Sequence, residues 1–247
     1  MRRVIATIAA ACGLVALSTC GGRTTTAEPA AVPATIIDLS RWKLTLPVDT
    51  PRPGVPDEVR QPELATFADP ARFLVRNEGV VFRAHCGGTT TRGSSYPRCE
   101  LREMKPGGRE RAAWATDDGG VHRLTLTAAV TAVPPVKPHV VCAQIHDAED
   151  DVIMVRLEGA KLFVERKPHD DVALDAAYAL GTRFDLEILT GDARIRVRYD
   201  GAQVLDWEAS RTRCYFKAGC YTQSNPRKGD QATSYGEVVV YRLDVEH

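Results

Sequence analysis

Arg183-Phe184-Asp185-Leu186-Glu187-Ile188, then Thr190-Gly191-Asp192, then Arg194-Ile195-Arg196-Val197-Arg198-Tyr199: apolar and polar residues alternate on both sides of a short run suited to a reversal. In an extended chain successive side chains point to opposite faces. Phe184, Leu186 and Ile188 therefore share one face, as do Ile195 and Val197. Each segment predicts a half-buried strand, and the pair predicts an antiparallel hairpin. The alternation recurs in His122–Thr127, Val152–Leu157, Lys161–Glu165 and Val239–Val245, with Glu158-Gly159 and Asp200-Gly201 supplying further turns. No long capped helical pattern interrupts the series beyond the amino-terminal residues, although Gln61 to Phe73 has room for a short helix. Strand, turn and strand repeated in this way predict an all-β chain, an antiparallel β-sandwich.

A length of 247 residues suits one such domain. Met1-Arg2-Arg3 followed by the apolar run Val4 to Leu17 has the charged and hydrophobic parts of a secretory signal peptide, expected over residues 1–20. Leu17-Ser18-Thr19-Cys20-Gly21-Gly22 resembles a bacterial lipobox, with Thr19 atypical before the cysteine. The expectation is a protein secreted, or anchored through a lipidated Cys20 at the outer face of a bacterial membrane. Residues 21–35, rich in Thr, Ala and Pro, read as a flexible linker.

The 32 Lys and Arg balance the 32 Asp and Glu, and losing Arg2 and Arg3 with a leader would leave a net charge of about −2. That balance argues against a general nucleic-acid binder. Any attraction for a polyanion must be local. Beyond Cys12 and Cys20, an odd set remains: Cys86, Cys99, Cys142, Cys214 and Cys220. Export permits disulfides, but Cys214 and Cys220 would lie about 20 Å apart in a straight strand, so they could bridge only if Gly219 marks a bend or bulge. Cys99 and Cys142 read equally well as small buried side chains.

Three distant segments carry the chemistry. Arg98, Glu100 and Arg102 alternate within Ser95–Glu103, Gln144 and His146 within Gln144-Ile145-His146, and Tyr215, Lys217, Tyr221 and Gln223 within Tyr215–Gln223. Each segment predicts a strand with one polar face, and the three faces offer the same selection of Arg, Lys, His, Gln and Tyr. A site handling a polyanionic sugar needs that selection.

These segments resemble the three signatures of the alginate lyases of polysaccharide lyase family 7: R-(T/S)-E-L-R, Q-(I/V)-H and Y-F-K-A-G-x-Y-x-Q. They occur in the family's order, and the resemblance extends through Asp38–Val48 and Glu237–Tyr241, covering residues 36–247. Cys99 departs from the usual Thr or Ser, on the face opposite Arg98 and Glu100. The resemblance implies a jelly roll with a concave substrate groove, no metal or other cofactor, and a monomer acting on the acidic polysaccharide alginate.

It further implies β-elimination with Arg98, Gln144, His146 and Tyr221 as catalytic residues and Glu100, Arg102, Tyr215, Lys217 and Gln223 around the substrate. Arg98 and Gln144 would neutralise the uronate carboxylate, Tyr221 would donate to the leaving C4 oxygen, and His146 would be the base for guluronate. On mannuronate Tyr221 would do both jobs. Isoleucine at 145 goes in the family with guluronate-containing blocks, and endo cleavage is expected.

Plainer roles stand beside these. Glu100 reads as a carboxylate holding Arg98 or Arg102, Arg102 as a rim ion pair and Tyr215 as sheet packing. A non-catalytic carbohydrate-binding sandwich would share the fold, and a lyase for another polyuronate such as glucuronan would share the chemistry. A two-carboxylate glycosidase fits less well, because Glu100 is the sole acid common to the motifs' polar faces. The acidic stretches Asp147–Asp151 and Asp170-Asp171 read as solvated loops, and Arg194, Arg196 and Arg198 as an exposed strand face. His85, His122, His139, His169 and His247 carry no zinc-binding spacing.

Overall fold

A computed structural model describes residues 31–247. The expected leader, lipobox and most of the expected linker lie outside the described residues. Pro33–Thr35 already forms a 3-10 turn with Pro33 buried, and the compact body begins at Ala31, a few residues before the expected domain start.

Numbered in chain order, the strands form two antiparallel sheets. The first runs β10 (Val172–Asp175), β9 (Lys161–Glu165), β8 (Asp151–Glu158), β7 (His139–His146), β14 (Tyr215–Thr222), β5 (Arg98–Glu103), β1 (Trp42–Thr45) and β2 (Glu58–Val59). The second runs β13 (Ala202–Glu208), β12 (Arg194–Tyr199), β11 (Phe184–Gly191), β6 (His122–Ala132), β15 (Tyr235–Glu246), β4 (Gly79–His85) and β3 (Phe73–Arg76). Neighbours distant in sequence, such as β7, β14 and β5, mark the crossovers of a jelly-roll sandwich.

The deciding hairpin forms as its alternation predicts. Leu186 faces Tyr199 and Ile188 faces Val197 across β11 and β12, with Ile188, Ile195 and Val197 fully buried. The reversal falls one residue later than expected: Asp192 and Ala193 both take positive φ, 56° and 55°, the conformation that matches the twist of a two-residue hairpin. Arg194 and Arg196 pair with Asp206, and Arg198 with Glu187, so this basic stripe is a surface ion ladder. From Gln61 to Phe73 the helical content is one 3-10 turn, Glu63–Ala65.

The core lies between the sheets, around Phe82, Phe184, Phe216, Leu101, Leu126 and Ile145. Burying such a side chain contributes about 1.5–3 kcal/mol, which fixes the register of strands with one apolar face. Cys99, Leu101, Ala143, Ile145, Phe216, Ala218 and Cys220 are all sealed in this way, at 0% exposure. Their neighbours in sequence must face the other side of the first sheet. Cys99 thus packs in the core opposite Cys220. All five described cysteines are buried free thiols. Cys214 and Cys220 stay apart although Gly219 is at a bulge, because Cys214 pairs through its backbone with Trp114.

Candidate active site

β14 lies between β5 and β7, which makes the three sequence motifs adjacent strands. Lys217 faces Arg102 and Tyr221 faces Arg98 on one side, while Tyr215 faces His146 and Lys217 faces Gln144 on the other. Arg98, Arg102, Gln144, His146, Tyr215, Lys217 and Tyr221 all line one cavity of about 910 Å³. Seven of the nine predicted site residues therefore share one surface.

The eighth, Glu100, is 1% exposed and lies beneath the cavity floor. It accepts from Arg98 Nη1 at 3.0 Å, from Lys217 Nζ at 2.5 Å and from the Gln144 amide. Burial alone would raise its pKa, but the Lys217 and Arg98 charges outweigh that and hold the carboxyl below its ordinary value. Burial pushes Lys217 down to about 8 against the pull of Glu100. The carboxylate thus fixes three donors beneath the groove. The ninth residue, Gln223, is buried just beyond the end of β14 and does not line the cavity.

His146 Nδ1 lies 2.7 Å from the carbonyl oxygen of Asp147. A carbonyl only accepts, so Nδ1 carries the hydrogen and Nε2 keeps its lone pair. Burial, opposed by that hydrogen bond, lowers the pKa of His146 and favours the neutral ring. The ring stacks on Tyr215 at 5.3 Å and 17°, and Tyr215 in turn lies 3.8 Å from the Arg102 guanidinium carbon. Arg102 and Tyr215 thereby buttress the imidazole as well as lining the cavity.

Tyr221 is held from three sides. Arg98 stacks over its ring, Tyr96 meets it edge-on at 6.5 Å, and its hydroxyl is 2.9 Å from Ser94 Oγ. Among the described residues, the side-chain hydrogen bond made by the Arg98 guanidinium is the one to Glu100, which leaves other donors of the fork for a ligand.

The cavity also holds residues that the motifs do not include. Lys43 on β1, paired with Glu58, and the exposed Arg111 add positive charge near Arg102. Ala148 to Asp151, which read as a plain solvated loop, form part of the wall beside His146. Burial and the neighbouring Asp150 raise Asp151 to about 6. Ser94 comes from the loop before β5, one residue before the first motif. Ser94 and Ala148–Asp150 could be found from sequence only by knowing which loops fold over the sheet.

Together the groups place a fork for a carboxylate, a neutral imidazole and a phenol in one groove, the parts needed to move a proton next to a bound acid sugar. A family model described as alginate lyase matches residues 37–247. The alginate lyase AlgAT5 from polysaccharide lyase family 7 is 48% identical, with a TM-score of 0.84 over 88% of this chain and 99% of that one. The alginate lyase from Corynebacterium sp. is 41% identical, with a TM-score of 0.84 over 89% of this chain and 100% of that one. An alginate lyase of Klebsiella pneumoniae is 38% identical over 80 residues, 30% of this chain and 26% of that protein's length.

Proposed function

The chain belongs to the alginate lyase family, polysaccharide lyase family 7, and from that premise we propose that it cleaves alginate by β-elimination, acting within the chain and preferring guluronate-containing blocks. The observation that carries this reading is the convergence of Arg98, Gln144 and Lys217 on Glu100 under the floor, with His146 and Tyr221 facing the cavity above.

The difficult step is removal of the C5 proton, which lies next to a carboxylate that resists further negative charge. Arg98 and Gln144 bind that carboxylate and stabilise the charge that develops on it. On guluronate, His146 Nε2 takes the C5 proton. The C5–H electron pair becomes the C4=C5 double bond as the C4–O bond breaks, and Tyr221 gives its proton to the departing oxygen. On mannuronate, Tyr221 takes the C5 proton and returns one to the leaving oxygen. Cleavage within the chain fits a groove that continues past Thr91 and Arg92 into a second depression of about 420 Å³ beside Pro51 and Val55.

The test is to incubate the purified protein with polyguluronate, polymannuronate and glucuronan in heavy-oxygen water. Ultraviolet-absorbing unsaturated products free of the label are expected, fastest from polyguluronate. Labelled reducing ends would mean hydrolysis, and tight binding without products would mean a carbohydrate-binding module. Faster turnover of glucuronan would reassign the substrate.

Export with acylation of Cys20 belongs to the same proposal, supported by the leader and the Leu17–Gly22 stretch. A bacterial host fed labelled palmitate should mark the wild type and not Cys20→Ser. Unlabelled, fully soluble wild-type protein would indicate simple secretion.

A further inference from the structure

The loop between β4 and β5 reaches back over the groove and ends on the hydroxyl of Tyr221. Its flanks are fixed: Cys86 N–H donates to Ser234 O at 2.7 Å, Thr89 N–H to Pro47 O at 3.0 Å, and Asn225 Nδ2 to Ser95 O at 2.8 Å. The tip turns tightly, with Ser94 N–H donating to Thr91 O at 2.9 Å and Gly93 at φ 83°. Ser94 Oγ then has three neighbours: Tyr96 N–H at 3.1 Å, Tyr96 carbonyl oxygen at 3.1 Å and Tyr221 hydroxyl at 2.9 Å.

A serine hydroxyl has one hydrogen and two lone pairs. The Tyr96 N–H always occupies one lone pair. When Tyr221 is protonated, the serine hydrogen goes to the Tyr96 carbonyl and the second lone pair accepts the phenol O–H. When Tyr221 has lost its proton, the serine hydrogen rotates to the phenolate and releases the carbonyl. Both protonation states of Tyr221 thus find a hydrogen-bond partner through rotation of one hydroxyl, with no heavy atom displaced.

We propose that Ser94 is a positioning residue for proton transfer, holding the Tyr221 oxygen in place: it accepts the phenol O–H while the groove is empty and turns its own hydrogen to that oxygen once the phenol O–H is directed at the C4 oxygen of the sugar and given up. The proposal rests on Tyr221 being the proton-transfer group. The proton itself travels from the phenol to the C4 oxygen as the C4–O bond breaks; Ser94 keeps its own proton throughout and merely redirects it. Ser94 need not touch the sugar. The location adds a coupling: the residue that supports the phenolate sits on a loop tip bordering the substrate groove, beside Arg92, which lines the same cavity.

Ser94→Ala and Ser94→Thr in the full-length protein provide the test. Ser94→Ala removes the switchable hydroxyl and should lower kcat about ten- to a hundredfold, as expected for losing a hydrogen bond to a charged group. KM should change less than about twofold, because the carboxylate fork is untouched. The pH-rate limb governed by the Tyr221 proton should move to higher pH, since the charge-assisted bond lost by the phenolate is worth more than the neutral one lost by the phenol. Ser94→Thr keeps the hydroxyl and should restore both values. A loop role alone would raise KM and leave the limb in place, which would overturn the proposal.

A second readout does not depend on turnover. In protein carrying tyrosine labelled with carbon-13 at Cζ, with the Tyr221 signal assigned from Tyr221→Phe, the titration of Tyr221 should move to higher pH in Ser94→Ala and stay put in Ser94→Thr. An unmoved titration in Ser94→Ala overturns the role of Ser94. A wild type that binds but does not cleave polyuronates overturns the lyase reading, and the titration still decides the Ser94–Tyr221 coupling.

Discussion

The guanidinium carbon of Arg98 lies 3.8 Å from the centre of the Tyr221 ring, while its Nη1 donates to Glu100 at 3.0 Å. One cation therefore connects the buried carboxylate to the phenol and, in the proposed reaction, to the sugar carboxylate. Lysine would keep the charge but lose the planar fork and its stacking on the ring. Arg98→Lys should lower kcat/KM on polyguluronate about a hundredfold or more while folding normally. Near-normal kcat/KM would mean that a point charge suffices there.

Tyr221→Phe keeps the ring under Arg98 and removes only the hydroxyl. Turnover should fall about a hundredfold or more with a modest change in substrate affinity. Steady-state kinetics together with a binding measurement check this, and near-normal turnover would place the proton transfer elsewhere.

His146→Asn retains a polar group but cannot take the C5 proton. Its loss on polyguluronate should exceed its loss on polymannuronate, where Tyr221 serves as the base. Equal proportional losses would make His146 a charge neutraliser or a positioning group. The wild-type pH profile carries a matching sign. A general base must be neutral, and burial lowers the pKa of His146. The fall in polyguluronate cleavage on acidification should therefore lie below about pH 6.5, the ordinary histidine value.

Asp151 bears on stability. Its pKa is raised to about 6 by burial and by Asp150. The folded state therefore holds this proton more tightly than the unfolded chain, whose carboxyl titrates near 3.9. The group destabilises the fold progressively as pH rises through about 4 to 6 and fully above that window. Asp151→Asn should raise Tm more at pH 8 than at pH 4, as read by thermal scans at the two pH values. An equal shift at both would assign the effect to packing.

Most of the fold is legible in the sequence because alternation is a local signal: Leu186, Ile188, Ile195 and Val197 reveal their face without reference to the rest of the chain. The polar faces of the motif strands are legible for the same reason. Their adjacency is not, because nothing in Tyr215–Gln223 says that its neighbours will be β5 and β7; that comes from the crossovers, or from resemblance. Period-two reasoning carries Gln223 onto the substrate face; β14 ends at Thr222, and Gln223 follows it outside the lining of the cavity. Ser94 escapes notice, and Ala148–Asp150 reads as no more than a solvated loop, because loops have no periodicity and their place over the sheet depends on tertiary contacts. Ala193 at positive φ is hidden too, since glycine at 191 is the stronger turn signal.

Gly219 sits where the pairing of β14 with β7 slips between Ala218 and Tyr221, at φ 132°. A Cβ there would come within 2.8 Å of the Cys99 carbonyl oxygen and 2.9 Å of the Phe82 ring. The slip changes how Tyr221 is offset from His146 relative to Lys217 and Gln144, so the spacing between the two proton-transfer groups depends on a residue that carries no functional atom of its own. For protein engineering, position 219 is a hinge pin. Libraries that vary the groove can diversify its charged and aromatic neighbours, but recombination that places any other amino acid there would be expected to misalign acid and base together, and repairing either one alone would not restore the pair.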